Sequence, residues 1–256
     1  METTSKEISK MLDSIDQKKK RLDEQRPLPT DLLKNLDEWF KVEQIYSSNA
    51  IEGNTLTKSE TALVVEKGLT VSGKSLKEHL EVKNYTFALD YIKELTAKTK
   101  QELGLKEIKQ IHFLILKGID DSNAGVWRKI EVRIAGSDLK LPDPLKIPEL
   151  MQDFISWLHK VDYHPALVAI DVHYKFVAIH PFVDGNGRVA RLLMNLLLMQ
   201  QGYPPIIIDP KDRLTYIDDM QKIDKKEEKD DYYLFMLRLL EKSLDIYLEA
   251  AKKSIT

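Results

Sequence analysis

Apolar residues recur at helical spacing along most of the chain. In the stretch 32–52, Leu33, Leu36, Phe40 and Ile45 fall on one face, which is the spacing of an amphipathic helix. The same periodicity predicts further helices at about 1–25, 57–67, 75–96, 105–118, 148–160, 165–179, 188–201 and 231–253. The pattern therefore predicts a mostly α-helical protein.

One short stretch alternates instead. Ile130, Val132 and Ile134 are separated by charged residues, and Leu139 and Leu141 follow the turn sequence 136–138. Alternation on both sides of a glycine turn predicts a β-hairpin over 130–141. The charged run 224–231 is interpreted as a solvated linker.

Composition narrows the classes of chemistry. The 256 residues include no cysteine and carry a formal net charge of −2, so disulfides, cysteine-ligated metals and a thiol nucleophile are excluded. The balanced charge predicts neither a nucleic-acid nor a membrane partner. The N-terminus lacks the apolar segment of a signal peptide, and a cytoplasmic location is expected.

The segment 166–191 combines a helix, a glycine loop and a second helix. Pro181 disfavours helical geometry at His180, so the first helix is predicted to end there. Gly185 and Gly187 flank Asn186 just before the second helix, which is predicted to begin at about residue 188. Free N–H groups at a helix start and close backbone approach together predict an anion site.

Charged residues in this segment favour a phosphate ligand. Arg188 and Arg191 lie one turn apart at the helix start, where cations oppose the helix dipole unless an anion is bound. Asp184 could hold a divalent cation that bridges phosphate oxygens, and His180 could accept a proton from an attacking hydroxyl. The loop lacks the Walker A and dinucleotide-binding patterns. It also does not fit an EF-hand, because Arg188 stands at the fifth position, where a calcium ligand is required.

Residues 180–191, His-Pro-Phe-Val-Asp-Gly-Asn-Gly-Arg-Val-Ala-Arg, match the HPFx[DE]GNGRxxR signature of the Fic (filamentation induced by cAMP) family, which the chain resembles from about Ser48 to Phe235. The resemblance implies a mostly α fold with a small β-hairpin flap. It also implies transfer of AMP from ATP to a Tyr, Thr or Ser hydroxyl of a target protein, with Mg²⁺ as cofactor.

The resemblance also implies roles for individual residues. His180 would be the general base, Asp184 would bind Mg²⁺, and Phe182 would anchor the loop. The remaining implied ATP contacts are the phosphate cradle (Gly185, Asn186, Gly187), the β- and γ-phosphate arginines (Arg188, Arg191), the nucleotide-proximal part of the flap (Ile134, Ala135, Gly136, Ser137) and the adenine side (Tyr216, Ile217).

A glutamate near the end of the second helix indicates regulation. Glu52 is disfavoured by the helix dipole there, as Arg191 is at its own helix start, and each would relieve the other if the two ends met. Ser48, Glu52 and Gly53 also match the [ST]xxxE[GN] motif that resembles the inhibitory helix of Fic proteins. We therefore predict that Glu52 pairs with Arg191 and blocks productive γ-phosphate binding.

The expected organisation is an N-terminal helical extension (1–30), a Fic-type catalytic region (31–221) with the inhibitory helix at about 39–53, and a C-terminal linker and helix (222–256). Transfer of another nucleotide or phosphate group, removal of AMP with Glu52 aligning water, and a non-enzymatic helical module remain alternatives. The sequence leaves the target protein open, and the chain itself is one candidate. It leaves the oligomeric state open as well, although the resemblance implies that a homo-oligomer is one candidate because family members commonly self-associate.

Overall fold

The computed structural model describes residues 5–133, 140–226 and 228–253. This part of the chain folds into ten α-helices with short 3₁₀ turns between some of them. The helices are α1 (Lys6–Asp23), α2 (Thr30–Ile51), α3 (Lys58–Lys67), α4 (Leu76–Leu95), α5 (Leu105–Leu116), α6 (Ile147–Lys160), α7 (Pro165–Ile179), α8 (Asn186–Gln200), α9 (Arg213–Lys226) and α10 (Asp230–Lys253). The predicted α-helical class is confirmed.

The predicted hairpin is not found where the structure can be described. Residues 130–133 and 140–141, its two outer ends, carry no strand. Its centre at 134–139 lies outside the described residues. Within those residues the fold is therefore all-helical.

The run 224–231 was predicted as a linker, and this is wrong for much of its length. Helix α9 continues to Lys226 and α10 begins at Asp230. The periodic signal for α9 is weak because the helix is largely polar, yet Tyr216, Met220 and Ile223 lie at positions i, i+4 and i+7. Tyr216 and Ile223 are buried and Met220 packs against the core, so tertiary packing stabilises this helix.

Helix α8 lies at the centre of the molecule. Its residues 189–198 are buried on every side, which is the pattern of a core helix rather than a surface helix. It packs on α7, α4, α5 and α2. Because four helices hold α8, its N-terminus is a fixed platform for the loop that precedes it.

The two ends of the chain pack against each other. Ile8, Ile15 and Leu22 form a buried seam on α1, and α1 runs along α10. Polar contacts flank the seam, including Lys18 Nζ to Asp245 Oδ2 at 2.7 Å. No helix in the described ranges has the length and apolar character required to cross a bilayer.

Candidate active site

His180 ends α7 in an unusual backbone conformation. Its φ of 51° and ψ of 58° lie in the left-handed region, and among the described residues it is the one non-glycine residue with positive φ. Such conformations persist where surrounding contacts enforce them, and they concentrate at functional sites. The sequence prediction that the helix ends at His180 is confirmed.

The side chain of His180 is oriented by its own helix. Nδ1 lies 3.2 Å from the carbonyl oxygen of Val177, and a carbonyl only accepts, so Nδ1 carries the proton and donates it. Nε2 then keeps a free lone pair. Burial lowers the pKa of His180; the hydrogen bond to Val177 opposes this, and the Arg128 cation adds to the lowering. The neutral imidazole is thus the favoured form near pH 7.

The loop after His180 is closed by one amide side chain. Asn186 Oδ1 accepts from the backbone N–H of Phe182 and its Nδ2 donates to the Phe182 carbonyl, both at 2.9 Å. Asn186 is buried, so its side chain shapes the loop from within. A phosphate contact from this residue would therefore come from its main chain.

Phe182 and His112 attach the loop to helix α5. Phe182 is fully buried and its ring stacks on His112 at 3.5 Å with an interplanar angle of 5°. His112 Nδ1 accepts from the N–H of Gly125 at 2.8 Å, and its Nε2–H donates to the carbonyl of Asp184 at 2.9 Å. Burial lowers the pKa of His112 to about 4, so this histidine is a neutral structural bridge.

Helix α8 begins at Asn186, two residues before the predicted start, with Gly185 as its N-cap. Gly185 has φ of 77°, and it supplies no side chain to cap the first N–H groups. The free N–H groups of a first helical turn attract anions. The backbone geometry is therefore compatible with the anion site predicted from the two glycines, which stays a prediction.

A carboxylate of the protein itself lies at this helix start. Glu52 Oε1 accepts from Arg191 Nη2 at 2.7 Å, and a methyl group placed on Gly187 would come within 2.5 Å of the same oxygen. Arg191 also donates through Nε to Ser48 Oγ at 2.9 Å and through Nη2 to the Ser48 carbonyl at 3.0 Å. The meeting of the α2 C-terminus with the α8 N-terminus, predicted from opposed dipole preferences, is found.

Arg191 is 4% exposed, so its charge depends on these partners. Burial alone would lower the pKa of Arg191, but the Glu52 carboxylate raises it above its ordinary value. Glu52 follows the last residue of α2, and Gly53 turns the chain away with φ of 96°. Of the three predicted inhibitory residues, Ser48 and Glu52 thus contact one buried cation, and Gly53 directly follows Glu52 in the chain.

Arg188 contacts two carboxylates on the other side of the loop. Its Nη2 lies 3.2 Å from Asp184 Oδ2 and its Nη1 lies 3.5 Å from Glu81 Oε1. The Nε atom is buried without a hydrogen-bond partner among the described residues. Asp184 itself has a side chain that is 54% exposed, so its carboxylate is accessible to solvent and to a cation.

Tyr216 lies deeper than its predicted position on the adenine side suggests. It is 3% exposed, and its hydroxyl bonds His173 Nε2 at 2.8 Å, while Tyr232 bonds the other ring nitrogen at 2.7 Å. Burial raises the pKa of Tyr216 to about 12 and lowers the pKa of His173 to about 3. His173, Tyr216 and Tyr232 thus form a neutral group that joins α7, α9 and α10 close to Arg191. Ile217, the next residue after Tyr216, is half-buried.

The predicted contacts Ile134, Ala135, Gly136 and Ser137 lie outside the described residues.

Three residues of this site receive no role from the sequence. His112 and Glu81 lie on helices α5 and α4, and Arg128 precedes the predicted hairpin. Arg128 is 2% exposed and donates through Nε to the carbonyl of His180 at 2.7 Å. For His112 the sequence does contain a signal, because a polar residue between Ile111 and Ile115 interrupts an otherwise apolar helix face.

Comparison with known proteins agrees with this geometry. The model of the Fic/DOC family matches residues 102–198. A protein of Aedes aegypti named protein adenylyltransferase Fic is 35% identical over 255 residues, which is 96% of this chain and 50% of that protein. The chain spans about half the length of the curated relatives it matches.

Solved structures share the whole architecture. Fic-1 of Caenorhabditis elegans (residues 134–508) superposes with a TM-score of 0.83 at 30% identity, covering 94% of this chain and 71% of that one. A Fic domain-containing signaling protein of Bacteroides thetaiotaomicron gives a TM-score of 0.85 at 30% identity, covering 94% and 98%.

The fold and site define a helical domain with a glycine loop at the start of its central helix, a histidine at the loop entrance and a carboxylate against Arg191. The chain belongs to the Fic/DOC family.

Proposed function

We propose that this protein is an adenylyltransferase that transfers AMP from ATP to a hydroxyl side chain of a target protein, and that Glu52 inhibits it. The observation that carries the proposal is the pairing of Glu52 with Arg191 at the start of α8. The N–H groups at this helix start could bind an anion, and an internal carboxylate lies against them. The names of the relatives support AMP as the transferred group.

The described residues supply the base and the phosphate contacts. A hydroxyl near Nε2 of His180 would give its proton to that lone pair as its oxygen attacks the α-phosphorus. The bond from the α-phosphorus to the bridging oxygen breaks, and pyrophosphate leaves with the electron pair. Arg188, Arg191 and the first N–H groups of α8 are placed to bind the negative charge of the β- and γ-phosphates.

The donor set fits Mg²⁺. Proteins commonly bind this ion through one or two carboxylates together with substrate phosphates. Asp184 provides one accessible carboxylate beside the phosphate loop, and the described residues contain no cluster of three or more candidate metal ligands. Asp184 would hold the ion, and the ion would neutralise phosphate charge during transfer.

The test uses Glu52→Gly protein incubated with ATP and Mg²⁺, with itself and a cell lysate as targets. We expect a mass increase of one AMP on a Ser, Thr or Tyr residue, and we expect His180→Ala in the same background to bind ATP yet transfer nothing. A different added mass with another nucleotide would instead favour the alternative transfers. Loss of AMP from a modified protein, dependent on Glu52, would favour hydrolytic removal of AMP with Glu52 aligning the attacking water.

Absence of ATP binding by Glu52→Gly protein would contradict the proposal and favour a non-enzymatic helical module. Full transfer by the His180→Ala variant would remove His180 from the base role. Cytoplasmic location and a homo-oligomeric state remain predictions. Gel filtration with light scattering would test the oligomeric state, and fractionation of cells would test the location.

A further inference from the structure

Arg128 is a buried cation, and among the described residues the hydrogen-bond acceptors of its side chain are all main-chain carbonyls. Its Nε donates to His180 at 2.7 Å, its Nη2 to Pro142 at 2.6 Å and its Nη1 to Ile130 at 3.1 Å. No carboxylate of the described residues lies within ion-pair distance of it. A planar guanidinium suits this task because its donors lie on three separate nitrogens in a fixed fork, whereas the three donors of a lysine all extend from one nitrogen.

These bonds act on the backbone at His180. The ψ angle of a residue sets the direction of its carbonyl, so the bond from Arg128 Nε fixes ψ of His180. The backbone N–H of Arg128 also donates to the carbonyl of Pro181 at 2.9 Å. Two consecutive carbonyls are thus tied to one residue, at the point where His180 has left-handed geometry.

The same guanidinium binds both ends of the segment predicted to be the flap. Ile130 lies at its start and Pro142 just beyond its end, and each gives a carbonyl to Arg128. The base and the two ends of the flap segment therefore share one rigid donor. Residues that lock the orientation of a reacting group in this way can alter rates strongly without contacting the substrate.

We propose that Arg128 is a positioning residue that holds the His180 backbone in its left-handed conformation and fixes that base relative to both ends of the flap segment. This inference rests on the proposed adenylyl transfer. It assigns to Arg128 an effect on the transfer step rather than on the affinity for ATP, because none of its contacts lies at Arg188, Arg191 or the first turn of α8.

The test compares Arg128→Gln and Arg128→Lys in the Glu52→Gly background, with Lys129→Gln as the control. Lys129 is the neighbouring cation and is exposed. We expect kcat to fall on the order of 100-fold in Arg128→Gln, as for a base displaced by about 1 Å. We expect KM for ATP to change by less than about threefold, since ground-state binding is untouched. Arg128→Lys should recover part of the kcat, and the control should match the parent.

Thermal denaturation identifies any variant that fails to fold, and Arg128→Lys then carries the test, because it keeps the charge and part of the bonding. A folded Arg128 variant that raises KM with kcat unchanged, or that keeps kcat within about threefold of the parent, would overturn the proposal.

Hydrogen exchange separates this inference from the proposed activity. Arg128→Gln should increase amide exchange in peptides covering 179–184 and 140–143, while peptides covering α8 stay protected. If the Glu52→Gly parent transfers no nucleotide, the proposed activity fails, and exchange alone decides the role of Arg128. Unchanged amide exchange at 179–184 would refute the positioning role of Arg128.

Discussion

Replacing Glu52 by glutamine should weaken the fold and activate the protein at once. The substitution keeps the shape of the side chain but removes the charge that Arg191 pairs with at 2.7 Å. A hydrogen bond between charged groups contributes about 1.5–3 kcal/mol net. Because the Glu52 side chain is 33% exposed, solvent screening places the expected loss near the lower end of that range, at about 1.5 kcal/mol.

This magnitude predicts two measurements of opposite sign. ATP no longer has to displace a carboxylate from Arg191, so its affinity should rise about tenfold, since 1.4 kcal/mol corresponds to a factor of ten. The folded state loses the same pairing, and Tm should fall by about 3–6 °C at 2–4 °C per kcal/mol. Calorimetric titration with a non-hydrolysable ATP analogue and thermal denaturation measure the two effects.

The matched control is Glu43→Gln on the same helix. Glu43 pairs with Lys58 at 2.7 Å, and Lys58 is 53% exposed, so this pair contributes at most about 1 kcal/mol. We expect the control to leave ATP affinity unchanged. If Glu52→Gln loses stability without binding ATP more tightly, the carboxylate stabilises the fold but does not compete with phosphate, and the inhibitory role is refuted.

Further predictions follow from the same contacts. Ser48→Ala removes one of the Arg191 bonds but leaves the Ser48 carbonyl and Glu52, so ATP affinity should rise by less than in Glu52→Gln; an equal rise would contradict this ordering. Asn186→Ala leaves two main-chain groups of Phe182 without partners, and urea unfolding should show a loss of roughly 2–3 kcal/mol. In the Glu52→Gly background, transfer should rise with pH through a His180 pKa below its usual value of about 6.5 and level off above, because the protonated ring cannot accept a proton; a rate that falls over this range would exclude the base role. Because the pKa of His173 is lowered in the folded protein, the unfolded chain binds a proton at this residue first as pH falls. The free energy of unfolding should therefore decrease below about pH 6.5, by up to about 1.4 kcal/mol per pH unit for this group. His173→Gln should show a smaller decrease between pH 6.5 and pH 5 when the free energy of unfolding is measured by denaturant titration.

Much of the helical architecture could be read from periodicity, because most helices bury a continuous apolar face. Periodicity does not predict helix α9, because few of its positions are buried and one of them, Tyr216, carries a polar hydroxyl. The start of α8 was placed two residues late for a related reason. Gly187 and Asn186 are poor helix formers, but the bonds from Asn186 back to Phe182 fix the first turn, and such a contact has no periodic signature.

Some residues of the candidate site could likewise be predicted from the sequence, and others could not. His180, Asp184 and the arginines lie in one contiguous motif, and the pairing of Glu52 with Arg191 follows from the helix dipoles at two chain positions. Arg128 cannot be found in this way, since the partners of its guanidinium are carbonyls up to 52 residues away, and any residue type supplies a carbonyl. Tyr216 was assigned by resemblance to the adenine side, whereas only the folded structure reveals its hydroxyl bonded to His173.

Because Glu52 and Arg191 belong to one chain, the proposed inhibitor is tethered to its own binding site. A tethered group acts at an effective concentration set by geometry, of millimolar order even for short flexible connections, and dilution of the protein cannot lower it. Inhibition should therefore be equally strong at every protein concentration where the chain stays in one associated state. Nucleotide must then compete with a carboxylate whose local concentration is constant, so the resting activity per protein molecule would follow the ratio of ATP to that fixed value at every protein concentration.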